Sequence, residues 1–232
     1  MSKTEMTVEI WKDLGALYKS TLNRLLAGYD RERRRGKIAK ERTYQRCYPI
    51  RTRAKNNWLV FLEKAPATPH YKTENDVVYC AVVFYSGPRG YSVFKPLLGQ
   101  GSIIVYKGHL FTRYNERLQL ALNYPLDIVK RFFAHSGYSD HKLIEKKDRL
   151  FSMGVTAEGI LLGDYWEEHR WLINRTFVNR DLYSAYQDET EKELITEMEE
   201  EIATAVAEEN HVSTITYKAD TLQAIKGNRK GL

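Results

Sequence analysis

Cysteine is nearly absent from this chain: Cys47 and Cys80 are the only two in 232 residues. Two thiols so far apart make no disulfide framework and suit a reducing compartment, so a cytoplasmic protein is expected. No apolar run approaches the roughly 20 residues that cross a bilayer, so no membrane partner is expected. The opening MSKTEMTVEIWKDLGAL has no basic segment followed by an unbroken apolar stretch, and no secretory signal is read there. Internal repeats, low-complexity linkers and a Gly-x-Ser-x-Gly nucleophile elbow are also missing. Gly99-Gln100-Gly101-Ser102 lacks the lysine of a phosphate-binding loop and runs into an apparent strand, so no cofactor is called for. What remains is globular, with 43% hydrophobic and 28% charged residues. A chain of this size buries roughly 70% of its unfolded surface and needs neither disulfide nor metal to fold.

Charge is unevenly spread. Residues 1–60 carry a balance of +9 and residues 181–232 a balance of −7, within a net charge of +6. Basic density peaks from Arg24 to Lys55, with 12 Lys/Arg against 3 acids. Arg31, Arg33, Arg34 and Arg35 precede Gly36 there, and Lys37, Lys40, Arg42 and Arg46 follow; Tyr29, Tyr44, Tyr48 and Trp58 lie in or beside the stretch. Cations that neutralise phosphates, interleaved with rings on which bases stack, suit a single-stranded nucleic-acid surface. The competing reading is a solvated helix end whose arginine stems cover the core edge.

Hydrophobic spacing predicts an amphipathic helix over 7–29, with Ile10, Leu14, Leu17, Thr21 and Leu25 at steps of three and four, Trp11, Tyr18 and Leu22 widening the stripe, and Thr7 as N-cap. A second helix near 37–46 is expected to end at Pro49. From Trp58 the pattern turns to short β-type runs: 58–62, 77–85, 91–94 and 103–106, an antiparallel meander with a turn at Gly87–Gly90. Helices are predicted over 109–122 and 126–135, short structure around 140–148, and strands at 149–155, 159–165 and 171–178. The last two form a hairpin around Trp166-Glu167-Glu168-His169. Residues 188–209 read as an acidic helix, ten acids around a Leu194–Met198–Ile202–Val206 stripe, and 212–217 as a terminal strand.

The segment Gly108-His109-Leu110-Phe111-Thr112-Arg113-Tyr114-Asn115-Glu116-Arg117-Leu118 carries the strongest chemical pattern. At about 100° per residue, Phe111, Tyr114 and Leu118 share one helical face, and His109, Arg113, Glu116 and Arg117 share the other. Histidine titrates near neutrality and arginine offers a fork that matches phosphate, so this face can hold a phosphate and move a proton without a metal. An ordinary solvated face with a Glu–Arg pair is the plainer reading. His135 and His141, with Asp140 between, match no zinc spacing and read as surface residues of a loop. The aromatics Trp166, Trp171, Phe177, Tyr183 and Tyr186 read as core.

The His-x-x-x-Arg-x-x-x-Arg helix, the helix after it, and the strands ending in Arg175-Thr176-Phe177-Val178 resemble the barnase/RelE-like superfamily of metal-independent endoribonucleases and toxins. The likeness covers about 105–187. It implies a helix-then-antiparallel-sheet core and RNA cleavage through the substrate's own 2′-hydroxyl, with His109, Arg113, Arg117 and Arg175 as acid/base and phosphate clamp. The resulting expectation is an α+β fold in three parts. These are a basic helical arm over 1–56, an antiparallel sheet packed by helices over 57–187, and an acidic helix and tail over 188–232. The expected function is nucleic-acid binding, RNA favoured, with toxin-like cleavage. The alternative is a non-enzymatic accessory or structural protein of a phage or mobile element. A homodimer or protein partner is expected to use the acidic helix, which would also compete with nucleic acid for the basic stretch.

Overall fold

A computed structural model describes residues 2–35, 45–64, 77–88, 90–97, 101–137, 139–146, 149–179 and residue 196. Of the helix expected near 37–46, residues 37–44 fall outside them and 45–46 belong to a strand; the acidic helix at 188–209 apart from residue 196, the strand at 212–217, and the side chains of Arg33, Arg34, Lys37, Lys40, Arg42, Tyr183 and Tyr186 also fall outside. Nine strands form one sheet in the order β1-β2-β3-β4-β5-β9-β8-β7-β6. They are β1 (Gln45–Arg51), β2 (Asn57–Lys64), β3 (Val77–Gly87), β4 (Gly90–Leu97), β5 (Ser102–Tyr106), β6 (Asp140–Lys146), β7 (Arg149–Val155), β8 (Gly159–Trp166) and β9 (Trp171–Asn179). The α+β class is as expected, but the sheet is mixed. Every neighbouring pair is antiparallel except β5–β9, which is parallel, with Ile103 to Tyr106 opposite Trp171 to Asn174. The two helices between β5 and β6 carry the chain from one meander to the other and allow that parallel return.

Helices cover both faces. Helix α1 (Lys3–Leu17) continues through a π-helical turn (Tyr18–Leu22) into α2 (Asn23–Arg34). The first face packs them on Trp58, Val60, Leu62, Ala81, Val83, Phe94, Ile103, Val105, Trp171 and Ile173. On the second face α3 (Gly108–Arg117) and α4 (Pro125–His135) lie over Leu59, Phe61, Val82, Val93, Ile104, Tyr106, Leu161 and Phe177. Strand residues i and i+1 therefore feed different cores, as pleating requires. Residues 3–34 and 45–51 belong to the same folded body as the sheet.

Four departures from the sequence reading have physical causes. The N-cap is Ser2, not Thr7: Ser2 and Glu5 close a capping box, and the Thr7 hydroxyl instead accepts from Trp171 Nε1 at 3.0 Å. The π turn adds one residue to the ladder, where Ser20 Oγ donates to the Ala16 carbonyl at 2.7 Å. The buried stripe is therefore centred on Leu22, expected at its margin, rather than on Thr21, and then reaches Tyr29. Helix α3 stops at Arg117 rather than 122, because the Asn115 side chain bonds both backbone groups of Leu122 at 3.1 Å. Gln119 and Ala121 accept positive φ there. Finally, Pro49 closes no helix; it sits in β1, at the sheet edge, where its missing N–H costs no ladder bond.

One carboxylate fixes α1 against the β1–β2 turn. Asp13, 5% exposed, accepts from Trp58 Nε1 at 2.7 Å, Thr52 Oγ1 at 2.8 Å and Asn56 Nδ2 at 3.1 Å. Removing it strands the buried Trp58 Nε1 and takes one hydrogen bond each from Thr52 and Asn56. Asp13→Ala is expected to lower unfolding free energy by about 3 kcal/mol in chemical denaturation. A change within about 0.5 kcal/mol, the range of an ordinary surface substitution, would show that the node does not hold the turn.

Candidate nucleic-acid interface

The Asp13 node shapes the basic turn as well as holding it. Thr52 N donates to Asn56 O at 3.0 Å and Lys55 N to Thr52 O at 2.9 Å, with Lys55 at φ 66°. Asn56 Nδ2 also donates to Glu9 at 3.0 Å, and the Tyr85 hydroxyl donates to Asn56 Oδ1 at 3.2 Å. Burial, together with the charges of Glu9 and Asp13, pushes the Tyr85 hydroxyl up to about 12. The acids of this corner thus face inward onto donors. Arg51, Arg53 and Lys55 all face solvent. Sequence reading counted these three only as part of the basic density. The alternation Arg-x-Arg-x-Lys before Asn-Asn-Trp was the signal for an outward-facing cationic turn.

At the other end of β1, Arg31 and Arg35 of the α2 terminus are exposed, while Arg46 pairs with Glu32 at 2.5 Å. Arg46 therefore ties α2 to the edge strand, and Arg31 and Arg35 remain available to an anion.

The four proposed catalytic residues divide into two groups. His109, Arg113 and Glu116 stand together on the exposed face of α3: Arg113 Nε lies 3.3 Å from His109 Nε2, and its guanidinium pairs with Glu116 at 3.0 Å. Such exposed pairs contribute only about 0.3–0.5 kcal/mol, so this face is free to change without cost to the fold. Arg117 instead donates to the Phe177 carbonyl of β9, and Arg175 donates to Asp164 of β8. Arg175 is the extra residue of a bulge, since Leu162 faces Thr176 while Gly163 faces Asn174. A Cβ on Gly163 would collide with the Ile173 carbonyl, so that position needs glycine.

Two polar groupings were not read from the sequence. Glu158, in the β7–β8 turn, accepts from Arg131 Nη2 and Ser136 Oγ at 2.6 Å and from the Tyr114 hydroxyl at 2.5 Å. Burial works against its charge, but the bonds from Arg131, Ser136 and Tyr114 outweigh burial and hold the carboxyl below its ordinary value. Arg131 and Glu158 are 28% and 16% exposed, so this pair is less screened than the α3 pairs and forms the stronger tie, between α3, α4 and the sheet.

The second grouping is a polar seam under the chain that leaves α4. Lys95 donates to the Gly137 carbonyl at 2.7 Å, Tyr106 sits beside Asn174 across β5–β9, and Asn174 Nδ2 lies 3.3 Å from His141 Nε2. The His141 ring rests over Gly154, where an added Cβ would approach it to 2.6 Å. His141 is thus an enclosed residue of β6 and not the surface loop residue expected, whereas His135 is exposed. Among the described residues no three His, Cys, Asp or Glu group as a metal site.

Comparison with known proteins finds no matching family model, no matching curated protein and no matching solved structure. Among the described residues no helix is long and apolar enough to cross a membrane.

Acid should test the seam. Burial, and then the Lys95 charge, push His141 from 6.5 down to about 4, so the fold favours its neutral ring. That stabilisation is complete above pH 6.5 and is lost as pH falls from 6.5 towards 4. His135 is also lowered and adds the same sign, and Glu158 adds a further loss as pH drops through its lowered value. Denaturation midpoints should fall from pH 7 to pH 5, and His141→Gln should flatten much of that limb. A wild-type midpoint constant over this range would contradict the assignment.

Proposed function

We propose that this protein binds nucleic acid, RNA favoured, through the cations that flank β1, and that it acts as a binding module rather than a cleaving enzyme. The observation that carries this reading is the sorting of charge around the β1–β2 turn. Asp13 and Glu9 are turned inward onto Trp58, Thr52 and Asn56, while Arg51, Arg53 and Lys55 face solvent. A rigid turn that presents cations without adjacent free acids attracts a phosphate chain and releases its counterions. Arg31 and Arg35 extend the same surface beyond the other end of the strand.

RNA cleavage is the second reading, and one observation favours it: His109 and Arg113 are side by side and open to solvent. It is the weaker reading because Arg117 is held by the Phe177 carbonyl and Arg175 reaches Asp164 on the sheet face under α1, so the four groups do not share one face around a scissile phosphate.

Binding of a fluorescein-labelled single-stranded RNA should weaken linearly on a log–log salt plot, with a slope of about −0.7 per phosphate contact. Replacing Arg51, Arg53 and Lys55 together by glutamine should flatten the slope by about 2. Wild-type protein that leaves such RNA unbound at low salt would end this reading. Incubation of labelled RNA with the protein in EDTA should leave it intact. Cleavage lost in His109→Ala, by the 10²–10⁴-fold typical of a missing general acid or base, would establish the enzyme instead.

A further inference from the structure

The first sheet face carries an unassigned cluster where α1 begins over β8 and β9. By register Phe151 lies opposite Asp164, which lies opposite Ile173, and Trp166 lies opposite Trp171. Phe151 and Asp164 therefore share the face that holds Trp171 and Ile173 beneath α1. Arg175 reaches across its bulge to Asp164 and stays 54% exposed. Lys107 follows Tyr106, whose partner is Asn174, so Lys107 and Arg175 leave the parallel seam side by side; Lys107 N donates to the Asn174 carbonyl at 3.1 Å. From above, Lys3 of α1 places Nζ 3.7 Å from the centre of the Trp166 ring, which stacks on Trp171 at an interplanar angle of 6°.

Lys3 of α1, Lys107 of the β5–α3 connector and Arg175 of β9 thus gather at one corner of the sheet, where Arg175 also engages Asp164. Phe151 beside them is 37% exposed, one of the few large apolar side chains left open. The cations feel one another: burial, then Arg175 and Lys3, lower the Lys107 ammonium below its ordinary value. An anion placed among them would relieve that repulsion. An open ring beside a phosphate-sized concentration of positive charge suits a base with its flanking phosphates. A duplex, whose bases are stacked away, does not fit it.

We propose that this face binds a single-stranded segment of nucleic acid, with one base on Phe151 and neighbouring phosphates on Lys107, Arg175 and Lys3. The proposal rests on the nucleic-acid reading above and adds a second contact area, at the opposite end of α1 from the β1–β2 turn. It makes the protein selective for unpaired strands.

The test measures anisotropy of a fluorescein-labelled oligouridylate and of a labelled RNA duplex with the full chain over a salt series. Phe151→Ala should weaken the single strand by about tenfold with its salt slope unchanged, and Phe151→Tyr should retain affinity, since base–aromatic stacking is lost in one and kept in the other. Lys107→Gln with Arg175→Gln should flatten the single-strand slope by about 1.4. Duplex binding should be unaffected by Phe151→Ala. If the glutamine variant of the β1–β2 turn loses slope while Phe151→Ala and the Lys107/Arg175 variant bind as wild type, this second area is overturned and the first stands. Equal losses on duplex and single strand would also overturn it. Failure of the wild type to bind either probe would remove both readings.

Discussion

The parallel pairing of β5 with β9 is the constraint on which the other contacts depend. Each meander alone would be a small antiparallel sheet with an open inner edge, and the seam from Ile103–Tyr106 to Trp171–Asn174 joins them into one. Its start holds Trp171 beneath Thr7 of α1, its last pair sets Tyr106 beside Asn174, and its exit delivers Lys107 and the N-terminus of α3 next to Arg175. The first face owes the position of α1 to this seam, and the second face owes it the position of α3. A one-residue slip would exchange the two faces of β9 and separate every one of these pairs.

Around that frame, charge is divided by burial. The enclosed carboxylates Asp13 and Glu158 each gather three or more donors, where losing one partner costs several kcal/mol. The exposed cations of the β1–β2 turn, the α2 terminus and the β5–β9 exit contribute little to the fold by comparison. Interior polar groups therefore serve shape, and the exposed ones carry little of that task. The same comparison separates the Arg131–Glu158 tie from the His109–Arg113–Glu116 face: one is costly to break and the other is not.

Much of this architecture was legible. The β-type runs from Trp58 onward fall within strands, because alternation and Gly–Pro turns are local signals. Events set by long-range contact were hidden. The Ser20 bond that moves the centre of the α1 stripe from Thr21 to Leu22, and the Asn115 clamp that ends α3 early, leave the apolar spacing unchanged. Pro49 was read as a helix stop although the extended bias of a residue before proline suits an edge strand equally well. For the site, the basic density around 24–55 was visible, but which of its cations face outward depends on Asp13 drawing Thr52, Asn56 and Trp58 inward. The pairing of Arg175 with Asp164 needs a bulge that composition does not reveal. Phe151 became part of a candidate surface only once its register with Asp164 was known.

The most direct test of the proposed nucleic-acid surface is photo-crosslinking of the full chain to single-stranded RNA containing 4-thiouridine, with adducts mapped by mass spectrometry. Adducts are expected on the peptide that spans Arg51 to Trp58 and on those bearing Phe151 and Trp166. Adducts confined to α3, around His109 and Arg113, would contradict the binding surface and return the cleavage reading to first place.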